Sequence, residues 1–150
     1  MPARRQPHVR QLQKPLRPQR TISKLVDDNP ALLEILVGML ERTYKIAGAL
    51  SNGAAVLEQA AALSPDLIIL DICLGNVSGF EVARDLKKGC YPGKIIFLTL
   101  CEDADFVDAA FDSGASGYVF KSRLSADLKN AIDTVLSGGR FRSISSRRSR

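Results

Sequence analysis

The stretch LIILDICLGNVSGFE, residues 67–81, decides the fold of this 150-residue chain. Its first four residues are apolar without alternation, which is typical of a parallel strand that is covered on both faces. Asp71 follows at once, and a short turn then leads into an amphipathic segment at 78–88. A buried strand followed by a helix is the building unit of an α/β sheet, so this stretch predicts that fold class.

The same alternation extends in both directions from residues 67–81. Short apolar segments predict strands at 22–26, 45–49, 67–70, 95–98 and 117–120. Amphipathic segments predict helices at 30–42, 53–63, 78–88, 103–113 and 124–137. In the first helix, leucines recur at three- and four-residue steps, Pro30 suits the first helical position and Asn29 suits the cap. Helix follows strand five times, which predicts a doubly wound, five-stranded parallel sheet with helices on both faces.

Length and composition exclude several classes of protein. The chain is 45% hydrophobic and has no apolar run of the roughly 20 residues that a membrane-spanning helix needs, so we expect no membrane insertion. The N-terminus lacks the apolar stretch of a secretory signal, and the three cysteines match no zinc pattern. We therefore expect a cytoplasmic protein without a disulfide framework.

The net charge of +5 comes from the two ends of the chain. Residues 1–20 hold six basic and no acidic side chains, and residues 140–150 hold five basic and no acidic ones. Residues 21–139 hold 10 basic against 16 acidic side chains. We interpret 1–20 as a disordered basic tail, 21–139 as the single domain and 140–150 as a basic linker or truncated tail. Such tails bind nucleic acid weakly and without sequence specificity, so we expect no sequence-specific binding.

Reactive side chains follow four of the five predicted strands. Asp27 and Asp28 follow the first, Asp71 the third, Thr99 the fourth and Lys121 the fifth. Ligands of open parallel sheets bind beyond the carboxyl ends of the strands, so these groups are expected to share one site. Taken singly, each has a plain explanation as a helix cap, a loop residue, a strand former or a surface charge.

Together, these residues predict a magnesium site that supports phosphoryl transfer. Gathered carboxylates repel one another unless a cation neutralises them, and Mg²⁺ prefers hard oxygen ligands. Asp28, Asp71 and the backbone carbonyl of Cys73 are the candidate ligands, with Asp27 hydrogen-bonded to a bound water. Lys121 adds a positive charge for phosphoryl oxygens. Carboxylate, metal and ammonium are the components of in-line phosphoryl transfer to an aspartate.

Four segments carry a resemblance to a known family: LVDDNP, LIILDICLGNVSGFE, IIFLTL and GASGYVFK. In this order and on these elements, residues 21–139 resemble the receiver domain of two-component response regulators. GASGYVFK and the ending AIDTVLSGGRF are similar to the NarL/LuxR subgroup, whose members usually carry a helix-turn-helix DNA-binding domain that we do not find in this chain. The resemblance implies a flavodoxin-like sheet of strand order 2-1-3-4-5.

The resemblance also implies a role for each site residue. Asp71 would be the phosphoacceptor, Asp27 and Asp28 the acid pair that holds Mg²⁺, and Lys121 the phosphate-contacting lysine. Thr99 and Tyr118 would form the switch, which reshapes the face of the fourth helix, fifth strand and fifth helix for a homodimer or an output partner. The phosphodonor would be a histidine kinase, and the chain would be a signalling domain that controls transcription rather than an enzyme.

The sequence departs from the family at Gly75, where many relatives have proline, and we expect a looser loop after Asp71. Two alternatives remain open. A Mg²⁺-dependent aspartyl-phosphate hydrolase needs a second acid two residues after the nucleophile, where this chain has Cys73. A phosphorylation-independent binding module would not need the intact set of acidic, hydroxyl and lysine side chains.

Overall fold

The computed structural model describes residues 20–59 and 66–145. The predicted basic tail at 1–20 therefore lies outside the described residues except for Arg20, and so does the end of the predicted linker. The elements, numbered in chain order, are β1 (Thr21–Val26), α1 (Pro30–Leu40), β2 (Lys45–Ile46), β3 (Ala49–Leu50), α2 (Gly53–Gln59), β4 (Leu67–Leu70), β5 (Cys73–Leu74), β6 (Val77–Ser78), α3 (Gly79–Lys88), β7 (Lys94–Thr99), α4 (Ala104–Asp112), β8 (Gly117–Phe120), α5 (Leu124–Leu136) and β9 (Phe141–Arg142).

The main sheet is parallel and confirms the predicted α/β fold class. Its order is β2-β1-β4-β7-β8-β9, with β3 also paired to β1. The five predicted strands therefore lie in the order 2-1-3-4-5. Among the described residues, no helix is both long and apolar enough to cross a membrane.

Side chains of the central strands alternate between two hydrophobic cores. Ile68 and Leu70 of β4 pack with α2, α3 and α4 on one face. Leu67 and Ile69 pack with α1 and α5 on the other face. All four are at most 2% exposed, which explains why this strand is apolar without alternation.

Helix starts follow the local chemistry that the sequence shows. The side chain of Asn29 accepts hydrogen bonds from the backbone N–H groups of Ala31 and Leu32, and Pro30 begins α1. Ser78 caps α3 and Asp103 caps α4 in the same way. These caps fix where each helix leaves the sheet, and so they fix the loops that follow β1 and β7.

Three local features differ from the expectation. The predicted strand at 45–49 is split into β2 and β3, although Ala47 N–H still donates to the Ile22 carbonyl and Leu25 N–H to the Gly48 carbonyl. The loop after Asp71 is ordered into an antiparallel hairpin of β5 and β6. Gly75 opens its two-residue loop with a φ of 73°, a value that proline cannot adopt.

The third difference is β9, which lies in the segment expected to be a linker. Phe141 and Arg142 pair in parallel with Gly117 and Tyr118 of β8 and extend the sheet by one strand. The segment is polar and basic in sequence, but Ser143 beyond it is only 1% exposed because it has buried polar partners. The ordered domain therefore continues past residue 139.

Candidate functional site

The candidate site lies at the carboxyl end of the sheet, where β1, β4, β7 and β8 end beside one another. Parallel pairing of these strands places Asp27, Asp71, Thr99 and Lys121 at one edge, because each residue ends a strand or directly follows one. Asp27, Asp71 and Thr99 are 2%, 5% and 2% exposed. The structure therefore brings these four residues together, and it buries at least three of them.

Lys121 joins two of the carboxylates. Its Nζ lies 2.8 Å from Oδ2 of Asp27 and 2.9 Å from Oδ2 of Asp71. Burial acts to lower the pKa of Lys121, but its hydrogen bonds to Asp27 and Asp71 outweigh that effect and raise it. The lysine is therefore a stable cation at neutral pH, held directly against Asp71.

Burial has the opposite consequence for Asp27. It raises the pKa of this carboxyl, although hydrogen bonds from Lys121 and from the backbone N–H of Asn29 act to lower it. The Asn29 N–H lies 2.9 Å from Oδ1 of Asp27. An ionised Asp27 is thus costly in the site as it stands, and a further cation would relieve that cost.

Backbone groups orient the carboxylate of Asp71. Its Oδ1 accepts hydrogen bonds from the N–H groups of Ile72 at 2.7 Å and Cys73 at 3.4 Å, while Oδ2 faces Lys121. The start of α3 presses against the same loop, because a Cβ placed on Gly79 would lie 2.2 Å from the Asp71 carbonyl oxygen. Only glycine fits there without moving the backbone that carries Asp71.

Three carboxylates form a group that suits a hard cation. Asp27, Asp28 and Asp71 each offer an oxygen, and these oxygens lie within 4.8 Å of one another. Asp28 is exposed, whereas Asp27 and Asp71 are buried. Carboxylate oxygens that lie this close together fit Mg²⁺, which binds through one or two carboxylates and keeps several waters.

The hydroxyls of Thr99 and Tyr118 each form a hydrogen bond with the backbone of Cys101, in the loop that follows β7. The backbone N–H of Cys101 donates to Thr99 Oγ1 at 3.4 Å, and the Tyr118 hydroxyl donates to the Cys101 carbonyl at 2.7 Å. Tyr118 is fully buried. Burial and the neighbouring Cys101 raise the pKa of Tyr118, so its hydroxyl remains a donor.

A pocket of about 270 Å³ gives access to Asp71 from solvent. Its lining consists of Asp71, Cys73, Thr99, Leu100, Cys101 and Lys121. The Cys73 side chain is exposed at the mouth, and its backbone N–H is the part that reaches the Asp71 carboxylate. The site therefore combines an accessible carboxylate, an adjacent ammonium group and a hydroxyl, and such a set can accept a phosphoryl group.

Sequence reasoning missed two contributors to this geometry. Gly79 stands out in the sequence only as part of the stretch after Asp71, yet its missing side chain sets the position of that loop. The Cys101 carbonyl ties the loop to Tyr118, and a carbonyl leaves no signal in the sequence. A glycine at the first position of a helix that follows a reactive loop is the one sign that could have indicated the first of these.

Comparison with known proteins gives the family. The family model described as the response regulator receiver domain matches residues 24–133, which is more than half of the chain. The nitrate/nitrite response regulator protein NarL of Escherichia coli is 31% identical over 117 residues, covering 76% of this chain and 54% of NarL. This chain thus spans about half the length of the curated relatives that it matches.

Solved structures agree with that assignment. A LuxR-family two-component response regulator from Aurantimonas sp. is 29% identical, with a TM-score of 0.78 over 83% of this chain and 89% of that one. The isolated receiver domain of RcsB from Salmonella enterica shares the fold, with a TM-score of 0.75 at 21% identity over 84% of this chain and 94% of that one. On its sequence match, its sheet order and its carboxylate site, this chain belongs to the response regulator receiver domain family.

Proposed function

We propose that this chain receives a phosphoryl group on Asp71 from a partner histidine kinase and passes the signal on through a change in shape. The observation that carries the proposal is the contact of Lys121 with Asp71 at 2.9 Å. Both residues line an open pocket, and Asp71 is one of three neighbouring carboxylates.

The carboxylates of Asp27, Asp28 and Asp71 and the backbone carbonyl of Cys73 would hold Mg²⁺. When bound, the ion supplies charge neutralisation for the phosphoryl oxygens and for the three acids. Burial already raises the pKa of Asp27, so the site gains most from a cation when all three acids are ionised.

The transfer itself asks little chemistry of the protein beyond positioning. A carboxylate oxygen of Asp71 forms a bond to phosphorus while the bond between phosphorus and the donor's leaving atom breaks. The N–H groups of Ile72 and Cys73 orient the carboxylate of Asp71. The ammonium group of Lys121 stabilises the negative charge that develops on the phosphoryl oxygens. The chain assists its own phosphorylation and slow dephosphorylation, and it is not an enzyme with a separate substrate.

Thr99 and Tyr118 are the switch in this proposal. A phosphoryl group adds close to two negative charges and three acceptor oxygens, and it favours the arrangement that brings donors to it. Thr99 lines the pocket. Movement of the loop that follows it would displace the Cys101 carbonyl, and with it the hydrogen-bond partner of the Tyr118 hydroxyl. The face of α4, β8 and α5 then changes, which favours a homodimer or binding of an output partner in transcriptional control.

Mass spectrometry of the intact chain tests the proposal. After incubation with acetyl phosphate and Mg²⁺, the wild-type chain should gain the mass of one phosphoryl group, and Asp71→Asn should gain none. Asp85→Asn, which changes an exposed carboxylate on α3, is the matched control and should behave as the wild type. Continuous release of phosphate without an adduct would identify a hydrolase. Neither adduct nor release would identify a binding module, and either result would overturn the proposal.

A further inference from the structure

The backbone that carries Lys121 is a single 3₁₀ turn between β8 and α5, formed by Lys121–Arg123. Hydrogen bonds of 3₁₀ turns have poorer geometry than those of an α-helix, and the residue before this turn, Phe120, has no polar side chain to cap it. Lys121 Nζ nevertheless lies 2.8 Å from Asp27 Oδ2 and 2.9 Å from Asp71 Oδ2. Contacts from outside the turn therefore contribute to its position.

Ser143 holds the residue that directly precedes Lys121. The Phe120 N–H donates to Ser143 Oγ at 3.1 Å, and the Ser143 N–H donates to the Tyr118 carbonyl at 2.8 Å. Ser143 follows β9, whose parallel pairing with β8 brings it to this place. The residue is 1% exposed, so water does not compete for these hydrogen bonds. The segment after α5 thus fixes the backbone at the start of the turn.

Asp127, in the first turn of α5, holds the other end of the 3₁₀ turn. Arg123 donates from Nε to Asp127 Oδ2 at 2.8 Å and from a terminal nitrogen to Oδ1 at 3.2 Å. Such a pairing of two donors with two acceptors is stronger and more directional than a single hydrogen bond. The hydrogen bonds from Arg123 hold the pKa of Asp127 below its usual range, so this carboxylate is ionised at neutral pH. Among the residues that the structure describes, it is the one buried carboxylate outside the phosphoacceptor site.

The contacts at the two ends of the turn meet at one oxygen atom. Ser143 Oγ donates to Asp127 Oδ2 at 2.7 Å, and the same oxygen accepts from Arg123 Nε. A continuous chain of hydrogen bonds therefore runs from the Phe120 N–H, before Lys121, to the Arg123 guanidinium, after it. We call Arg123, Asp127 and Ser143 the clamp. Because the clamp holds both ends of a three-residue turn, it restricts where the residue at the start of that turn can lie.

We propose that the clamp positions Lys121 for phosphoryl transfer, so that the segment after α5 completes the phosphoacceptor site. Its three members are positioning residues, which act through the backbone of the turn and not on the phosphoryl group. The proposal rests on the proposed function, because that function gives Lys121 its role. It goes further in making the site depend on Ser143, which lies beyond residues 24–133, the part of the chain that matches the family model.

The rate at which acetyl phosphate phosphorylates the full chain, followed by intact mass at a series of Mg²⁺ concentrations, tests the clamp. Ser143→Ala removes the hydroxyl that holds Phe120, and Arg123→Gln opens the clamp at a side chain that is 37% exposed, where the fold tolerates the change. Each variant should lower the rate at saturating Mg²⁺ roughly tenfold, since a displacement of about 1 Å costs about 100-fold and a loosened turn moves by less. The Mg²⁺ concentration at half-maximal rate should not increase, because the proposed ligands follow β1 and β4 and not β8.

Tyr44→Phe is the matched control. The Tyr44 hydroxyl donates to Asp133 Oδ1, also on α5, so this variant loses a hydrogen bond of the same kind away from Lys121. Urea unfolding should show that it is folded and less stable than the wild type, and its phosphorylation rate should be that of the wild type.

Three results would overturn the clamp alone, provided that the wild type gains its adduct. These are a wild-type rate in either folded clamp variant, an equal loss of rate in Tyr44→Phe, and an increased Mg²⁺ requirement, which would indicate a general loss of order in the site. If Ser143→Ala did not fold, Arg123→Gln would decide. Absence of an adduct on the wild type would overturn the clamp together with the proposed function.

Discussion

Replacement of Gly79 by alanine tests how tightly the fold holds Asp71. A Cβ at this position would lie 2.2 Å from the Asp71 carbonyl oxygen and 2.8 Å from the Ile72 Cα, where ordinary contacts begin at 3.4 Å. Both atoms belong to the backbone, so no side chain can turn aside. The loop that carries Asp71, or the start of α3, must move by about 1 Å.

Such a displacement lowers the free energy of unfolding, and it also slows phosphoryl transfer to Asp71. Overpacking of this kind costs about 1–3 kcal/mol in the free energy of unfolding. A reacting group misplaced by about 1 Å loses roughly 100-fold in rate, because transfer depends on alignment. Gly79→Ala should therefore remain largely folded, yet accept a phosphoryl group from acetyl phosphate about 100-fold more slowly than the wild type.

Gly38→Ala is the matched control. Gly38 lies within α1, and a Cβ there would meet nothing within 4 Å. Alanine in an open helical position should raise the free energy of unfolding by about 0.5–1 kcal/mol and leave the phosphorylation rate unchanged. Urea unfolding and time-resolved intact mass measure both quantities. If Gly79→Ala matched the wild type in stability and in rate, the claim that this contact positions Asp71 would be refuted.

Three further substitutions probe the charges and hydroxyls around the site. Asp27→Asn should be at least as stable as the wild type at pH 7 in EDTA, because burial raises the pKa of Asp27 and the wild type loses stability as pH rises through that pKa. Urea unfolding from about pH 3 to 7 should show that the stability of Asp27→Asn relative to the wild type increases with pH. If the variant were less stable than the wild type by more than about 1 kcal/mol at pH 7, the ion pair of Asp27 with Lys121 would outweigh the cost of burial. Tyr118→Phe removes the 2.7 Å hydrogen bond to the Cys101 carbonyl and should lower the free energy of unfolding by about 1 kcal/mol, while Asp71 is still phosphorylated. An unchanged free energy of unfolding would argue against that hydrogen bond. Ser143→Ala removes a hydrogen-bond partner from Asp127 and from the Phe120 N–H, and it should lower the free energy of unfolding by about 1–3 kcal/mol. Ser125→Ala, on the exposed side of α5, should change it by no more than about 0.5 kcal/mol. Equal stabilities of the two variants in urea would contradict the role given to the Ser143 hydroxyl.

The strands could be predicted because their signals are local and strong. LIIL at 67–70 and IIFL at 95–98 are apolar without alternation, and the structure buries both sides of each strand between helices. Parallel pairing then brings the strand ends together, so the convergence of Asp27, Asp71 and Lys121 could be expected from the order of the elements alone.

The remaining features depend on contacts between distant parts of the chain. β9 could not be predicted, because residues 140–145 are mostly polar and basic. Their place in the sheet depends on pairing with β8 and on the distant partners of Ser143. The close approach of Gly79 to Asp71 is likewise a property of how α3 packs, not of the residues around it. Glu102 accepts hydrogen bonds from Ser122, which is 20 positions further along the chain, and from Ser145, which is 43 positions further. Sequence periodicity carries no information at such separations.

The proposed function depends on one chemical event, the transfer of a phosphoryl group to the carboxylate of Asp71. Tandem mass spectrometry of proteolytic peptides, taken quickly after incubation with acetyl phosphate and Mg²⁺, locates that group most directly. We expect it on the peptide that contains Asp71, at this residue, and to be lost when EDTA is present from the start. A modified peptide that lacked Asp71, or an equal yield in EDTA, would contradict the proposed function.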